Sequence, residues 1–346
     1  MTAKFIKHVL RFKIPGGTSR GVLTEKDTYF IVIEDDNRIG IGECGLLRGL
    51  SVDDRPDYED KLDWVCKNIQ LSKTELIANL TEFPSIQFGI ETAFKSLEAE
   101  KSFELFPSDF TRGNEGISIN GLVWMGDEQF MKNQISDKLN SGFTTIKMKI
   151  GAIDFDTEIK LLQSIRASFS AKEITLRLDA NGAFSFQEAK EKLKRLSELE
   201  IHSIEQPIEQ GNLEKMAALC QDTPIPIALD EELIGAFSDE TKKNIIETVN
   251  PQYIILKPSL IGGFQACETW ISLIENNGGG WWITSALESN IGLNAIAQYT
   301  YQKKATMPQG LGTGSLYTNN IPSPLEVKQG TLYYNSNEKW NFSFIN

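Results

Sequence analysis

Apolar and polar positions follow two different rhythms along the 346 residues of this chain. In the first hundred or so, FIKHVLRFKI, TYFIVIEDD and RIGIGEC show the short alternation of strands with one buried face. Turn residues at Pro15-Gly16-Gly17 and Asp35-Asp36-Asn37 divide them into an antiparallel meander, and helical patterns follow over 57–80 and 84–101. From residue 118 onward short apolar runs alternate with amphipathic stretches. Strands are predicted at 118–124, 144–149, 174–179, 201–205, 226–230, 253–257, 281–285 and 308–312. Helices are predicted at 127–141, 154–168, 185–199, 212–222, 238–248, 262–276 and 289–301. This alternation predicts an α/β fold: a (β/α)7β TIM-like barrel over 116–315, with an α+β capping domain over 1–115. The tail, 316–346, carries the aromatic runs TLYYN and KWNFSF, reads as strand, and is expected to pack back on the cap.

Five of the apolar runs end in charge: FTTIKMK, ITLRLD, IHSIE, IPIALD and YIILK. From Lys149 to Asp179, Glu205, Asp230 and Lys257 the steps are 30, 26, 25 and 27 residues. A strand, a helix and their two loops take about 25–30 residues, so each step is one barrel unit. Charges at the C-terminal ends of successive barrel strands converge on one mouth. The spacing therefore gathers three carboxylates with lysines on both sides.

Composition narrows the chemistry further. With 35 basic and 47 acidic residues the net charge is −12, which does not favour nucleic acid or an anionic membrane. An anionic substrate must then be drawn locally, since salt screens the global field beyond about 8 Å. The first residues lack the apolar core of a secretory signal, and no uncharged apolar run approaches the roughly 18 residues that span a bilayer. Cys44, Cys66, Cys220 and Cys267 are scattered, as free thiols of a cytoplasmic protein are. Only His8 and His202 are present, so a multi-histidine zinc site or a histidine-based triad is disfavoured and base duty falls to lysine or carboxylate. Nothing in the sequence sets an oligomeric state.

Asp179, Glu205 and Asp230 offer hard oxygen donors, the ligand set of Mg²⁺, with Mn²⁺ as the alternative. A single strand-terminal Asp is more often a helix N-cap. Three in register, with Asn181 behind the first and Glu231 behind the third, favour the metal reading. Lys147 and Lys149, at i and i+2, share one face of a central strand and are expected to look into the mouth. Burial there is costly without anions, and two crowded ammonium groups beside a metal lower a lysine pKa towards neutrality. Lys257, followed by Pro258, stands on the far side as a second base, acid or stabilising cation. The set suits removal of a weakly acidic proton next to a carboxylate, through an enediolate.

KMK, LDAN, IEQP, LDE and LKPS, in this order and spacing, resemble the enolase superfamily and its muconate lactonizing enzyme subgroup. Within it the chain most resembles the o-succinylbenzoate synthase family, through PGGTSRG (15–21), GECGLLRGLS (42–51) and SALESNIGL (285–293). The resemblance implies a metal-dependent syn-dehydration of 2-succinyl-6-hydroxy-2,4-cyclohexadiene-1-carboxylate, in menaquinone biosynthesis. It implies Lys149 as both base and acid, Lys257 as the cation over the enediolate, and Lys147 as a carboxylate holder that lowers the Lys149 pKa. Arg177 is expected to brace Lys149 or a nearby acid. Backbone amides around Ser285, Leu287, Glu288 and Ser289, and at Gly262-Gly263, are expected to receive the succinyl carboxylate. The loops at Gly16–Gly21 and Arg48–Ser51 are expected to act as mobile lids. A rival in the same fold is an N-succinylamino acid racemase or related epimerase using two opposed lysines. The absence of an acid from MPQGLGTGSLYTNN (307–320) counts against a dipeptide substrate. A more distant alternative is a non-catalytic barrel that binds a metal or an acid.

Overall fold

The computed structural model describes residues 1–18 and 21–343. Strands β1 (Thr2–Thr18), β2 (Gly21–Asp35) and β3 (Arg38–Cys44) form the antiparallel meander. Helices α1 (Tyr58–Lys67), α2 (Lys73–Ala78) and α3 (Pro84–Glu98) cover one face. The single helix predicted over 57–80 is two, because Ser72 and Glu75 form a capping box that restarts the backbone. Tyr29, Ile31 and Ile33 of β2 pack under these helices, while Phe30 and Val32 belong to a separate core on the opposite face. The closeness of β3 and α3 depends on Gly42, where a Cβ would stand 1.9 Å from the Gly89 carbonyl oxygen.

The first turn of α3 is held by a buried acid from the loop between β3 and α1. Asp53 Oδ2 accepts from Ser85 N at 2.9 Å and from Ser85 Oγ at 2.6 Å. Burial pushes this carboxyl up to about 6 from 3.8, even though the Ser85 bonds oppose the shift. A pKa raised by folding stabilises the protein fully below the unfolded value of 3.8, and that contribution is lost as pH rises through about 6. Asp53→Asn removes the titration. Relative to wild type, the variant should gain about 2.5 kcal/mol of unfolding free energy between pH 4 and pH 7, measured by urea denaturation.

Strands β4 (Ile117–Ser118) and β5 (Gly121–Val123) and helix α4 (Glu128–Asn140) open the second unit. They are followed by β6 (Thr145–Lys149), α5 (Phe155–Ser168), β7 (Thr175–Asp179), α6 (Phe186–Ser197), β8 (Ser203–Glu205) and α7 (Leu213–Asp222). Then come β9 (Ile227–Leu229), α8 (Asp239–Val249), β10 (Tyr253–Leu256), α9 (Pro258–Ile261), α10 (Gly263–Asn276), β11 (Gly280–Ile283) and α11 (Asn290–Gln302). Strands β5 to β11 lie side by side in chain order, all parallel. The eighth strand predicted over 308–312 shrinks to two bridges, Gln309 with Ile119 and Gly310 with Thr284, which close the (β/α)7β barrel. Arg177 fastens this seam from inside, its Nη1 donating to the Pro308 carbonyl at 2.7 Å.

Alternation along the strands sorts the barrel. Ile146, Met148, Leu176, Leu178, Ile204, Leu229, Ile254 and Leu256 join the helices in the main core. The opposite positions, among them Lys147, Lys149, Arg177, Asp179 and Glu205, therefore point inward. Beyond the barrel, β12 (Leu325–Lys328) and β13 (Thr331–Tyr334) form a hairpin that pairs with β4. Farther on, Trp340 and Phe342 pack on Phe103, with ring centroids at 4.9 and 4.8 Å, beside the cap residues Phe30, Val32 and Ile41.

Candidate active site

The strand ladder sets the layers of the site. Lys149 is paired in register with Asp179, and Asp179 with Glu205, so these residues share one level of the barrel. Asp230 follows the last residue of β9, and Lys257 follows the last residue of β10. All five are buried or nearly so. Lys149 Nζ lies 2.9 Å from Asp179 Oδ2 and donates to Asn181 Oδ1 at 2.6 Å. Lys147 Nζ lies 2.9 Å from Asp179 Oδ2 and 2.5 Å from Glu205 Oε2. Lys257 pairs with Asp230 Oδ2 and stands 4.0 Å from Glu205 Oε1.

These pairings fix the direction of the charges. Burial alone would lower the Lys147 pKa, but attraction by Asp179, Glu205 and Asp230 outweighs it and holds the ammonium above the usual lysine range. The same balance of burial against Asp230 and Glu205 raises Lys257. The drift towards neutrality expected of the crowded Lys147–Lys149 pair does not occur at Lys147, whose ammonium lies against Asp179 and Glu205. Asp179 and Asp230 are held below the ordinary carboxylate range because the lysines overcome their burial. Glu205 goes the other way. Burial and the neighbouring Asp179 charge push its pKa well up.

Among the described residues no group of three His, Cys, Asp or Glu side chains is gathered as a ready metal cluster, since lysine ammoniums stand between the carboxylates. The donors themselves fit a divalent cation. Both Glu205 carboxylate oxygens are buried without a hydrogen bond, and the contact with Lys147 is a charge contact outside hydrogen-bond angles. Three hard carboxylates, one of them unsatisfied at both oxygens and repelled by like charges, are a set that Mg²⁺ or Mn²⁺ relieves.

Asn181 links Lys149 to Glu231, its Nδ2 donating to Glu231 Oε1 at 3.1 Å. Gln206, not singled out from the sequence, shapes the adjacent loop. Its Oε1 accepts from the backbone amides of Asp230 and Glu232, and its own backbone is left-handed at φ 39°. The pre-proline position in IEQP is the only sequence signal for it.

Several expectations are corrected here. Arg177, level with Lys147 in the ladder, does not bond to Lys149: its guanidinium sits 4.1 Å from the Trp282 ring centroid and donates to the Pro308 carbonyl, with Glu205 the acid whose charge acts on it. Gly262 and Gly263 face α3 instead of the mouth. The amides that follow them, Phe264 N and Gln265 N, donate to Glu91, and a Cβ on Gly263 would meet the same carboxylate at 2.2 Å. The amides of Ser285, Leu287 and Ser289 are already bonded, to Gly310 O, Ser285 Oγ and Glu43. Glu288 points to Ser259 and Ser285, not to the mouth.

A cavity of about 560 Å³ opens over Lys147, Lys149, Asp179, Asn181 and Lys257. Its wall is Ser285, Ala286 and Leu287, and its roof comes from the cap through Ile14, Leu23, Leu47, Arg48 and Leu50. Ser19 and Arg20 of the first lid segment lie outside the described residues. The part before them is regular strand, and Gly17 is pressed against the mouth, where a Cβ would stand 2.3 Å from the Met125 carbonyl oxygen. In the second lid segment Ser51 is buried, its hydroxyl accepting from Leu47 N at 2.9 Å.

Residues 131–337 match the family described as enolase C-terminal domain-like. An o-succinylbenzoate synthase of Desulfotalea psychrophila is 46% identical, over 96% of this chain and 98% of that one. This chain belongs to the o-succinylbenzoate synthase family. The crystal structure of MenC from Desulfotalea psychrophila superposes on it with a TM-score of 0.86 and 43% identity, over 96% of this chain and 99% of that one. An N-succinylamino acid racemase of Thermus thermophilus is 32% identical, over 56% of this chain and 51% of that one, a more distant relation of the synthase family. Enolase-superfamily enzymes, the synthase family among them, work with a divalent metal.

Proposed function

We propose that this chain is an o-succinylbenzoate synthase, a hydro-lyase of menaquinone biosynthesis. It converts 2-succinyl-6-hydroxy-2,4-cyclohexadiene-1-carboxylate to o-succinylbenzoate and water. The observation that carries this reading is the 46% identity to an o-succinylbenzoate synthase over nearly the whole of both chains. In this reading Lys149 acts as the base and takes the proton alpha to the ring carboxylate, leaving an enediolate. The resulting ammonium returns that proton to the departing hydroxyl on the same face, so water leaves and the ring becomes aromatic. Lys257, at the other end of the carboxylate row, places its charge against the enediolate. Lys147, tied to Asp179 and Glu205, keeps the row in register and offers a positive charge to the substrate carboxylate. Asp179, Glu205 and Asp230 would hold Mg²⁺, or Mn²⁺, which when bound supplies electrostatic stabilisation of the developing negative charge.

The test is formation of o-succinylbenzoate from its precursor with Mg²⁺ present, beside an assay for racemization of N-succinylamino acids. Efficient racemization without o-succinylbenzoate would overturn the reading. A chelator should abolish turnover. Asp230→Asn should lower Mg²⁺-dependent turnover a hundredfold or more, several kcal/mol, while circular dichroism stays native. Full activity in Asp230→Asn would remove Asp230 from the metal set.

The partner in this reading is a small carboxylate, and a surface of net charge −12 does not favour nucleic acid. No helix among the described residues is long and apolar enough to cross a membrane. The four cysteines are free, which supports a cytoplasmic location.

A further inference from the structure

Cap and barrel share a second set of buried charges that the chemistry above does not use. Lys26 on β2 is 4% exposed, and its Nζ makes no hydrogen bond among the described residues. Lys26 shares a face of β2 with Thr28, whose hydroxyl donates to Glu43 on β3, and Glu43 and Glu288, in the turn after β11, meet at Gly292; both acids are fully buried and oppose the lowering of the Lys26 pKa by burial. A buried ammonium without a bonded partner is unfavourable unless its charge serves its surroundings.

Those surroundings lead to the cavity. Glu43 accepts from Thr28 Oγ1 at 2.7 Å, Ser289 N at 2.8 Å, Ser289 Oγ at 2.5 Å and Gly292 N at 2.8 Å, and so caps α11 from another part of the chain. Glu288 accepts from the hydroxyls of Ser259, two residues after Lys257, and Ser285. Ser285 Oγ accepts in turn from Thr313 Oγ1 at 2.8 Å and from Leu287 N at 3.1 Å. Ser285, Leu287 and Thr313 line the cavity. Leu287 has φ 66°, in the left-handed region that disfavours a branched side chain, and Tyr317 OH holds its carbonyl at 2.7 Å. Such strain persists where surrounding bonds enforce it, and it concentrates at binding walls.

We propose that Lys26 is a positioning residue, placed by the cap to balance Glu43 and Glu288 and so hold the Ser285–Leu287 wall in its substrate-receiving shape. The proposal takes its assay substrate from the synthase reading. Lys26→Met keeps the stem and removes the charge. In the full chain it should raise KM for the precursor, and Kd for o-succinylbenzoate by titration, tenfold or more, with kcat within threefold. Leu287→Gly removes the left-handed penalty and should be non-additive with Lys26→Met: the pair should raise KM at least threefold less than the product of the single effects. KM and Kd within twofold of wild type in Lys26→Met, whatever its melting temperature, overturn the proposal. If Lys26→Met does not fold, Glu288→Gln carries the same expectation and the same overturning result. A wild type that turns over nothing overturns the synthase reading and the role of Lys26 with it. A wild type that turns over, with variants of unchanged KM, overturns the role of Lys26 alone.

Discussion

Lys149→Ala is expected to abolish dehydration and exchange of the alpha proton with D₂O together. One amine carries both proton transfers in the proposed reaction, so neither half survives its removal. A positioned acid or base contributes about 10²–10⁴-fold, and a residue serving as both should sit at or beyond the upper end, near 10⁴. The fold should tolerate the change, because Asp179 keeps Lys147 at 2.9 Å as its counter-charge. A melting temperature within a few degrees of wild type, with exchange followed by NMR, separates lost chemistry from lost structure. Exchange at the wild-type rate in Lys149→Ala would move the base elsewhere, and Lys257 would be the next candidate.

At Lys257 two substitutions are needed. Lys257→Ala should cost about 10²–10³-fold in kcat, the usual effect of deleting one charge that stabilises an oxyanion. It also leaves Asp230 without its closest cation, so some loss of stability should accompany it. Lys257→Arg discriminates between mechanisms. Arginine keeps the charge but, with a pKa above about 12, cannot accept the proton. If Lys257 acts only as a cation, Lys257→Arg retains measurable dehydration. If two opposed lysines exchange protons with the substrate, conversion of one enantiomer of an N-succinylamino acid disappears while the other still exchanges its alpha proton. Complete loss of dehydration in a folded Lys257→Arg protein would argue for proton transfer at this position.

The row of charges was readable from the sequence for a physical reason. Central barrel strands are covered outside by helices, so their residues should be apolar except where chemistry requires otherwise, and Lys149, Asp179 and Glu205 stand out against Met148, Leu178 and Ile204. Local signals marked most helices to within a residue or two. They missed the restart at Ser72 because the apolar pattern runs through the break. The eighth strand was overstated because its pairing is settled by a few backbone contacts across the barrel, at Gln309 and Gly310, and not by its own residues. The errors at Gly262 and Gly263 share a cause with the omission of Lys26, Glu43 and Gln206. Each depends on which distant segment lies opposite. Glu91 meets Phe264 across 173 positions of chain, and Glu43 meets Ser289 across 246, separations over which composition and periodicity carry no information.

The hairpin β12–β13 bears on the order in which the molecule is made. β4 is complete at residue 118, yet its partner β13 begins at Thr331, and the rings that cover Phe103 arrive with Trp340 and Phe342. While the ribosome adds the intervening barrel, β4 keeps an open edge and the lower face of the meander stays uncovered, the two kinds of surface on which nascent chains aggregate. Translation speed and chaperone supply across residues 118–331 should therefore govern the soluble yield of this protein more than its final stability does.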